Sequence, residues 1–469
     1  FIGILAVSVV LVALVIGCAP GPTPPGPTPP GPTPPGPTPP GPTPPTITKV
    51  KFGSFAHLTG PYTEVGVPMH EANMAYYYLW NEEVGKRIGV EIDAMEEDCR
   101  TDATLISEMW MRFRDAGVVS LYGLTSVENN ILAKEVVNAE IPMVATSGSW
   151  YAFLPASGWQ FTIFSCDNDD RNFLMWLDSP EGKEHEKDKA WVKEGRKPCI
   201  GFIGWDNPYG RGPIAICYEY CKSHNMPWAG AEIVPYVFPT AEPQLQRLVA
   251  NGADYIIGSM CGSAVGVVCR DCYRLKLHEK GIITVWHDGA AVPEQFMLGE
   301  EAAEGVYCSS PYMTQEESKT SAGWEKFVRA HKALTGKEPP WIGHQTGTAT
   351  WTITAVQCEA LRILVEDKGM DPAKITGRDM RDALYEAKFD SEGLYSPTIG
   401  LREGEAAIFQ LYSRIAIWHW FPGEVGKNGD YGLISDWIEC PPGVWTSSEA
   451  RRAELLAYEK EALKGPWTP

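Results

Sequence analysis

The chain has 469 residues, 44% of them hydrophobic and 21% charged, a composition that excludes a wholly disordered chain and a length that exceeds what one hydrophobic core usually serves. The formal net charge of -19, with no stripe of Lys or Arg, argues against nucleic acid as a partner, because a phosphate backbone demands a basic footprint.

Residues 1–18 read FIGILAVSVVLVALVIGC, an uncharged apolar run ending at Cys18. The run sits at the short end of the roughly 20 apolar residues that a spanning helix needs, so a membrane span and a secretion signal compete. Val15, Ile16, Gly17 and Cys18 resemble the lipobox of exported bacterial lipoproteins. That resemblance implies cleavage, lipidation of Cys18 and a soluble remainder held at a membrane face. No start methionine or basic flank precedes the run, so the sequence is expected to begin inside its signal segment. A linker covers 19–46, and within it residues 21–45 are five copies of GPTPP. Proline fixes φ, removes amide donors and biases its predecessor toward extended geometry, which predicts a polyproline-II spacer about 75 Å long at about 3.1 Å per residue.

The folded part opens with a strand over 46–56 and a Gly-Pro break in LTGPY, followed by a helix over 68–85. A strand (88–96), a helix (102–117), a strand (118–123), a helix (128–140) and a buried strand (141–148) follow. After a pause the alternation resumes. RNFLMWLDS is read as helix and EGKEHEKDKAWVKEG as a solvent-facing insertion or helix extension. Strands are then expected at 197–205, 253–260 and 282–289, an extended segment at AEIVPYVFP, and helices in GPIAICYEYCKSHN, EPQLQRLVANG and VGVVCRDCYRLKLHEKG. Strand–helix alternation of this kind predicts parallel sheets covered on both faces, in two α/β units rather than one barrel. Three late helices, in GWEKFVRAHKALTG, ATWTITAVQCEALRILVEDKG and TGRDMRDALYEAK, are expected to pack on one unit, with strands such as AAIFQLYSRIAIWHWF (406–421) returning to the other.

Twelve cysteines occur: Cys18, Cys99, Cys166, Cys199, Cys217, Cys221, Cys261, Cys269, Cys272, Cys308, Cys358 and Cys440. Routing outside the cytoplasm permits disulfides, and buried thiols are the other reading. The short spacings Cys217/Cys221 and Cys269/Cys272 lack the knuckle glycines of a zinc module, so no metal is assigned.

From about 47 to 440 the chain resembles the type I periplasmic binding proteins of ABC importers, in particular the branched-chain amino acid and amide or urea group. The resemblance rests on FAHLTGPYTEVG, LYGLTSVENNILAKEVVNAEIPMVATSGS, WDNPYGRG, NGADYIIG and AAEGVYCSSPY in that order. It implies two doubly wound Rossmann-like lobes joined by three crossovers, with a ligand cleft between them. The first lobe is placed at 47–166 plus 309–390 and the second at 167–308 plus 391–440, with 441–469 as a C-terminal extension.

Ligand groups are expected at the carboxyl ends of parallel strands, where helix N-termini offer unpaired amides. Thr125 and Ser126 lie between a strand and a helix, where a hydroxyl either caps the helix or binds an oxygen-bearing solute. Thr146 and Ser147 are placed at the corresponding position after the next strand. The family motif in WDNPYGRG puts Tyr209 against the ligand, with Gly210 and Gly212 permitting close backbone approach. Asp288, after the apolar strand IITVW, is where amino acid binders of this group carry an acid for the ligand ammonium. Tyr62, Trp150, Trp205 and Tyr312 are expected to rim the cleft. With 17 tryptophans and 19 tyrosines, the chain favours a larger or aromatic amino acid, or an amide, over a small aliphatic one.

No G-x-S-x-G elbow, H-E-x-x-H, Walker A or G-x-G-x-x-G opening a helix after the first strand is present, so no enzyme activity and no cofactor are assigned. The expected function is hinged capture of a small solute for an ABC permease by a membrane-anchored, extracytoplasmic protein. A sensory or structural surface protein reusing the same fold is the alternative.

Overall fold

A computed structural model describes residues 47–287, 300–339, 344–396, 399–401, 407–419, 430–441 and 448–469. The expected signal segment, the GPTPP linker and Asp288 lie outside these residues. Residues 46–469 form one compact unit, built on two sheets.

The first sheet holds β1 (Thr48–Ala56), β2 (Val90–Asp98), β3 (Ser120–Gly123), β4 (Met143–Gly148) and β5 (Gln160–Ser165). Their order is β2-β1-β3-β4-β5, all parallel. The second holds β6 (Ile200–Trp205), β7 (Trp228–Val234), β8 (Tyr255–Ser259), β9 (Ile283–His287) and β10 (Tyr307–Ser310). These repeat the same pattern as β7-β6-β8-β9-β10, also parallel. In each sheet the chain starts in one strand, steps to its neighbour on one side and then winds away on the other. A doubly wound order of this kind opens a crevice where the direction reverses, at the carboxyl ends of β1 and β3 in one sheet and of β6 and β8 in the other.

The late chain returns to both sheets. β11 (Ala407–Ile408) adds to β5, whereas β12 (Tyr412–His419) runs antiparallel to β10, and β13 (Asp430–Leu433) and β14 (Ile438–Glu439) pair antiparallel with β12. The late helices dock on the first sheet system. In the helix His344–Arg362, Thr354 accepts a hydrogen bond from Asn73 Nδ2 at 2.9 Å, and Gln357 one from Tyr77 Oη at 2.7 Å. Both partners lie on the helix Thr63–Trp80.

Three readings change. That first helix begins at Thr63, not Pro68, so the proline sits inside it and deletes one backbone hydrogen bond there. The charged stretch after residue 179 is not a mere solvent-facing insertion. Glu186 is buried and accepts a hydrogen bond from Tyr307 Oη at 2.5 Å and another from Tyr255 Oη, while Trp191 packs into the second core. β5 falls where the sequence reading assigns no element, because its QFTIFS is wholly buried and lacks the alternation that marks a half-exposed strand.

Residues 448–469 complete the second sheet. The helix Glu449–Ala462 lies against Pro208–Ser223, with Arg451 paired to Glu219 through both guanidinium nitrogens at 2.7 and 2.8 Å. Beyond it, Trp467 exchanges two backbone hydrogen bonds of 2.8 Å with Trp228, which covers the outer edge of β7. Among the described residues no helix is long and apolar enough to cross a membrane.

Candidate functional site

The two crevices face each other. Tyr62, after β1, sets its ring 5.5 Å from Trp205 at the end of β6 and 5.9 Å from Tyr236 after β7, and those two rings are 5.1 Å apart. All three are edge-on or tilted contacts of the kind aromatic quadrupoles favour. Next to them, Glu64 Oε2 accepts a hydrogen bond of 2.5 Å from the backbone N–H of Ser263, the first residue of the helix Ser263–Arg274. Burial pushes the Tyr62 hydroxyl well above its ordinary range.

Behind Tyr62, the His57 ring lies 5.7 Å away and contacts Glu128. Glu128 belongs to the helix Ser126–Ala139, whose N-cap is Thr125. Thr125 Oγ1 accepts from the Val127 N–H at 3.0 Å, while Glu128 Oε2 takes both the hydroxyl and the amide of Thr125, at 2.8 and 3.1 Å. This is a complete capping box. Burial opposes ionisation of Glu128, yet His57 and the Thr125 hydroxyl hold its carboxyl below the usual range. Ser126 differs from its neighbour. Its hydroxyl is buried and has no hydrogen-bond partner among the described residues, and the same holds for Trp205 Nε1.

Thr146 and Ser147 lie within β4, not after it, because β4 pairs with β5 as far as Gly148↔Ser165. Thr146 Oγ1 closes a hydroxyl triangle with Tyr122 Oη (2.8 Å) and Thr350 Oγ1 (2.8 Å), which ties the sheet to the late helix. The loop after β4 is Ser149–Trp150, and it docks on the helix Pro208–Ser223. Ser149 Oγ donates to the Pro208 carbonyl at 2.7 Å and Trp150 Nε1 to that of Gly212 at 2.6 Å. Trp150 is wholly buried among Ala215, Ile216 and Leu455. A Cβ on Gly212 would come within 2.5 Å of Ser149 Cβ, and one on Gly210 within 2.4 Å of the backbone of Trp205, so both glycines serve close approach.

Tyr209 is buried with its ring 5.3 Å from His287, and its carbonyl accepts from Ser259 Oγ at 2.9 Å. Tyr312 lies 6.4 Å from Phe164 and 5.4 Å from Tyr395. The structure thus groups Tyr62 with Trp205, and Tyr209 with His287, at strand carboxyl ends, while Trp150 and Thr146 serve packing and an internal hydroxyl network. His287 Nδ1 is 3.1 Å from both oxygens of Asp170, and its Nε2 is 3.3 Å from Ser259 Oγ. This row has the order of an acid, base and nucleophile, and the Ser259 hydroxyl stands within hydrogen-bond distance of both the Tyr209 carbonyl and the imidazole. As arranged, the row positions Tyr209. Burial raises the Asp170 carboxyl despite His287 beside it.

A surface cavity of about 430 Å³, bordered by Tyr273, Leu277, Ile283 and Val306, lies at the opposite, amino-terminal ends of β9 and β10. The eleven cysteines from Cys99 to Cys440 are all buried thiols.

Sequence reasoning missed His57, Cys99, Glu64 and Tyr236. The signal that could have found the first two is position, since each directly follows a strand of the first sheet.

A family model described as a periplasmic binding protein matches residues 49–413. Among curated proteins none matches the chain. Among solved structures, an ABC transporter substrate binding protein from Aeropyrum pernix aligns with a TM-score of 0.69 at 17% identity, covering 87% of this chain and 99% of that one. A branched chain amino acid ABC transporter protein from Thermus thermophilus with bound valine gives 0.68 at 15% identity, with coverages of 87% and 99%. A solute binding protein from Rhodopseudomonas palustris BisB5 in complex with 3,4-dihydroxy benzoic acid gives 0.65 at 16%, with coverages of 84% and 98%.

Proposed function

The chain belongs to the periplasmic binding protein family, and from that premise we propose that it captures a small polar solute between its lobes and hands it to an ABC permease without altering it. The observation that carries this reading is the meeting of the two crevices, Tyr62 from one against Trp205 and Tyr236 from the other. Two buried polar atoms that follow strands of the two sheets, Ser126 Oγ after β3 and Trp205 Nε1 at the end of β6, are paired by no described residue. An unmade hydrogen bond of this kind costs roughly 1–3 kcal/mol. A solute that satisfies such atoms from both sides at once favours the closed arrangement over the open one.

The solute in this reading is an amino acid or amide, with the aromatic wall favouring a ring or a larger side chain. The valine and the dihydroxybenzoate held by the two solved relatives bracket that range. Tyr62, Ser126, Trp205 and Tyr209 form its surroundings and Asp288 meets its ammonium group. Thr125 acts through the helix it caps, Thr146 through the hydroxyl network, and Ser147 and Tyr312 lie at the margin. Cys18 carries a lipid, and the GPTPP repeat holds the lobes away from the membrane on its outer side.

Mass spectrometry of solutes released by denaturing natively purified protein identifies the ligand. Calorimetry with that compound should then give one site per chain, weakened at least tenfold in Trp205→Ala and much less in Trp205→Phe. A scattering profile that does not contract on saturation, or equal affinity in wild type and Trp205→Ala, would overturn the reading.

A further inference from the structure

We propose that His57, Cys99 and Glu128 form a buried site for one divalent transition-metal ion of the zinc class. One ligand atom from each of the three lies within 4.8 Å of the others, and all three side chains are fully buried. Cys99 Sγ is 3.2 Å from His57 Nε2, and Glu128 Oε1 touches the same nitrogen.

The atoms that do not converge are pinned elsewhere. His57 Nδ1 is bonded to Thr101 Oγ1 at 2.9 Å, and Glu128 Oε2 is held by the Thr125 amide and hydroxyl at 3.1 and 2.8 Å. A ligating histidine anchored through its other nitrogen, and a carboxylate anchored through its other oxygen, are the outer-shell arrangement that orients metal ligands. His57 and Cys99 directly follow the adjacent strands β1 and β2, and Glu128 stands in the first turn of the helix after β3, so the sheet order itself assembles them. Thr101 takes the left-handed conformation with φ 60°, as Arg100 does with φ 54°, which turns the chain so that Cys99 and Thr101 both reach the one imidazole.

Charge and donor type set the class of ion. A thiolate, a carboxylate and a neutral imidazole around a dication sum to zero, which suits a site without water. Mixed sulfur, nitrogen and oxygen donors favour zinc or a neighbouring transition metal over magnesium or calcium, which take oxygen ligands. Three protein ligands leave a fourth position open. Bonds of about 2 Å to each donor require His57 and Glu128 to part, with the ion replacing the proton they share.

The test is cobalt(II) and zinc titration of the full chain, purified without a metal-affinity step, followed by metal analysis after dialysis. One equivalent per chain and a thiolate-to-cobalt charge-transfer band are expected, both lost in Cys99→Ser and kept in Cys358→Ser. Peptide mapping of wild-type protein alkylated in mild denaturant, with zinc protecting Cys99 but not Cys358, reads the same site should Cys99→Ser not fold. Wild type without the band, metal retained equally by Cys99→Ser, or Cys99 alkylated at the same rate with and without zinc would each overturn the proposal. In that case the trio is an imidazole N–H shared by a carboxylate and a thiol.

Discussion

Glu64 caps a helix that belongs to the other sheet system. Its carboxylate occupies the amino end of Ser263–Arg274, which has no side-chain cap of its own, at 2.5 Å from the Ser263 N–H. The preceding Gly262 has φ +65°, and a Cβ there would meet Glu64 Oε2 at 2.6 Å. A side-chain cap contributes about 1 kcal/mol, and this one exists only while the two crevices stay together. Glu64→Ala should therefore enlarge the radius of gyration of solute-free protein and weaken solute binding about fivefold. Scattering curves of wild type and variant that superimpose would deny the contact a part in closure.

Gly210→Ala should destabilise the chain by about 3 kcal/mol or more. The added methyl would lie 2.4 Å from the Trp205 nitrogen and oxygen, backbone atoms of β6 that cannot step aside. Gly347→Ala is the contrast, since its nearest neighbour is Phe327 Cζ at 3.5 Å. There the change should be neutral or stabilising by up to about 1 kcal/mol, as expected for glycine inside a helix. Urea midpoints of the two variants decide the matter, and comparable losses would contradict it.

Stability should fall between neutral and mildly alkaline pH because of His331. Its Nε2 is 3.0 Å from Glu71, joining the helix Ala322–Thr335 to Thr63–Trp80. Burial opposes its protonation, but the Glu71 bond and the Lys337 carbonyl raise its pKa above 6.5. A raised histidine contributes fully below its unfolded pKa and loses that contribution as pH climbs through the folded value. Glu71 is shifted down by the same pair, so its share is lost on acidification instead. Denaturant midpoints at pH 6 and pH 8 should differ more in wild type than in Glu71→Gln, and an equal difference would refute the assignment.

Thiol reagents should find the native protein unreactive. Burial pushes the thiols of Cys217, Cys221 and Cys358 far up and that of Cys269 to about 12, and a protonated thiol is a poor nucleophile. Unfolding without reductant should release the eleven thiols from Cys99 to Cys440. A lower count would show disulfides among them.

The order of strands and helices was legible because each unit alternates apolar runs with amphipathic ones and punctuates them with glycine. The site was legible only in part. Thr125 announces a capping box through Glu128 at the third position, and Tyr209 and Trp205 stand beside turn residues. Thr146 lies inside the strand expected over 141–148, and nothing in that local pattern says that its hydroxyl bonds Tyr122 and Thr350. His57 and Glu128 are 71 positions apart and His57 and Cys99 are 42 apart. Only the placing of β1 between β2 and β3 brings them together, and that order is not written in any local spacing.

The pairing of Trp228 with Trp467 imposes a timetable on folding. β7 lies midway along the chain and its partner Trp467 far beyond it, so the rim of the second sheet stays open while the later half of the chain is made. That half of the molecule therefore gains its full cohesion only after residue 467 has been added.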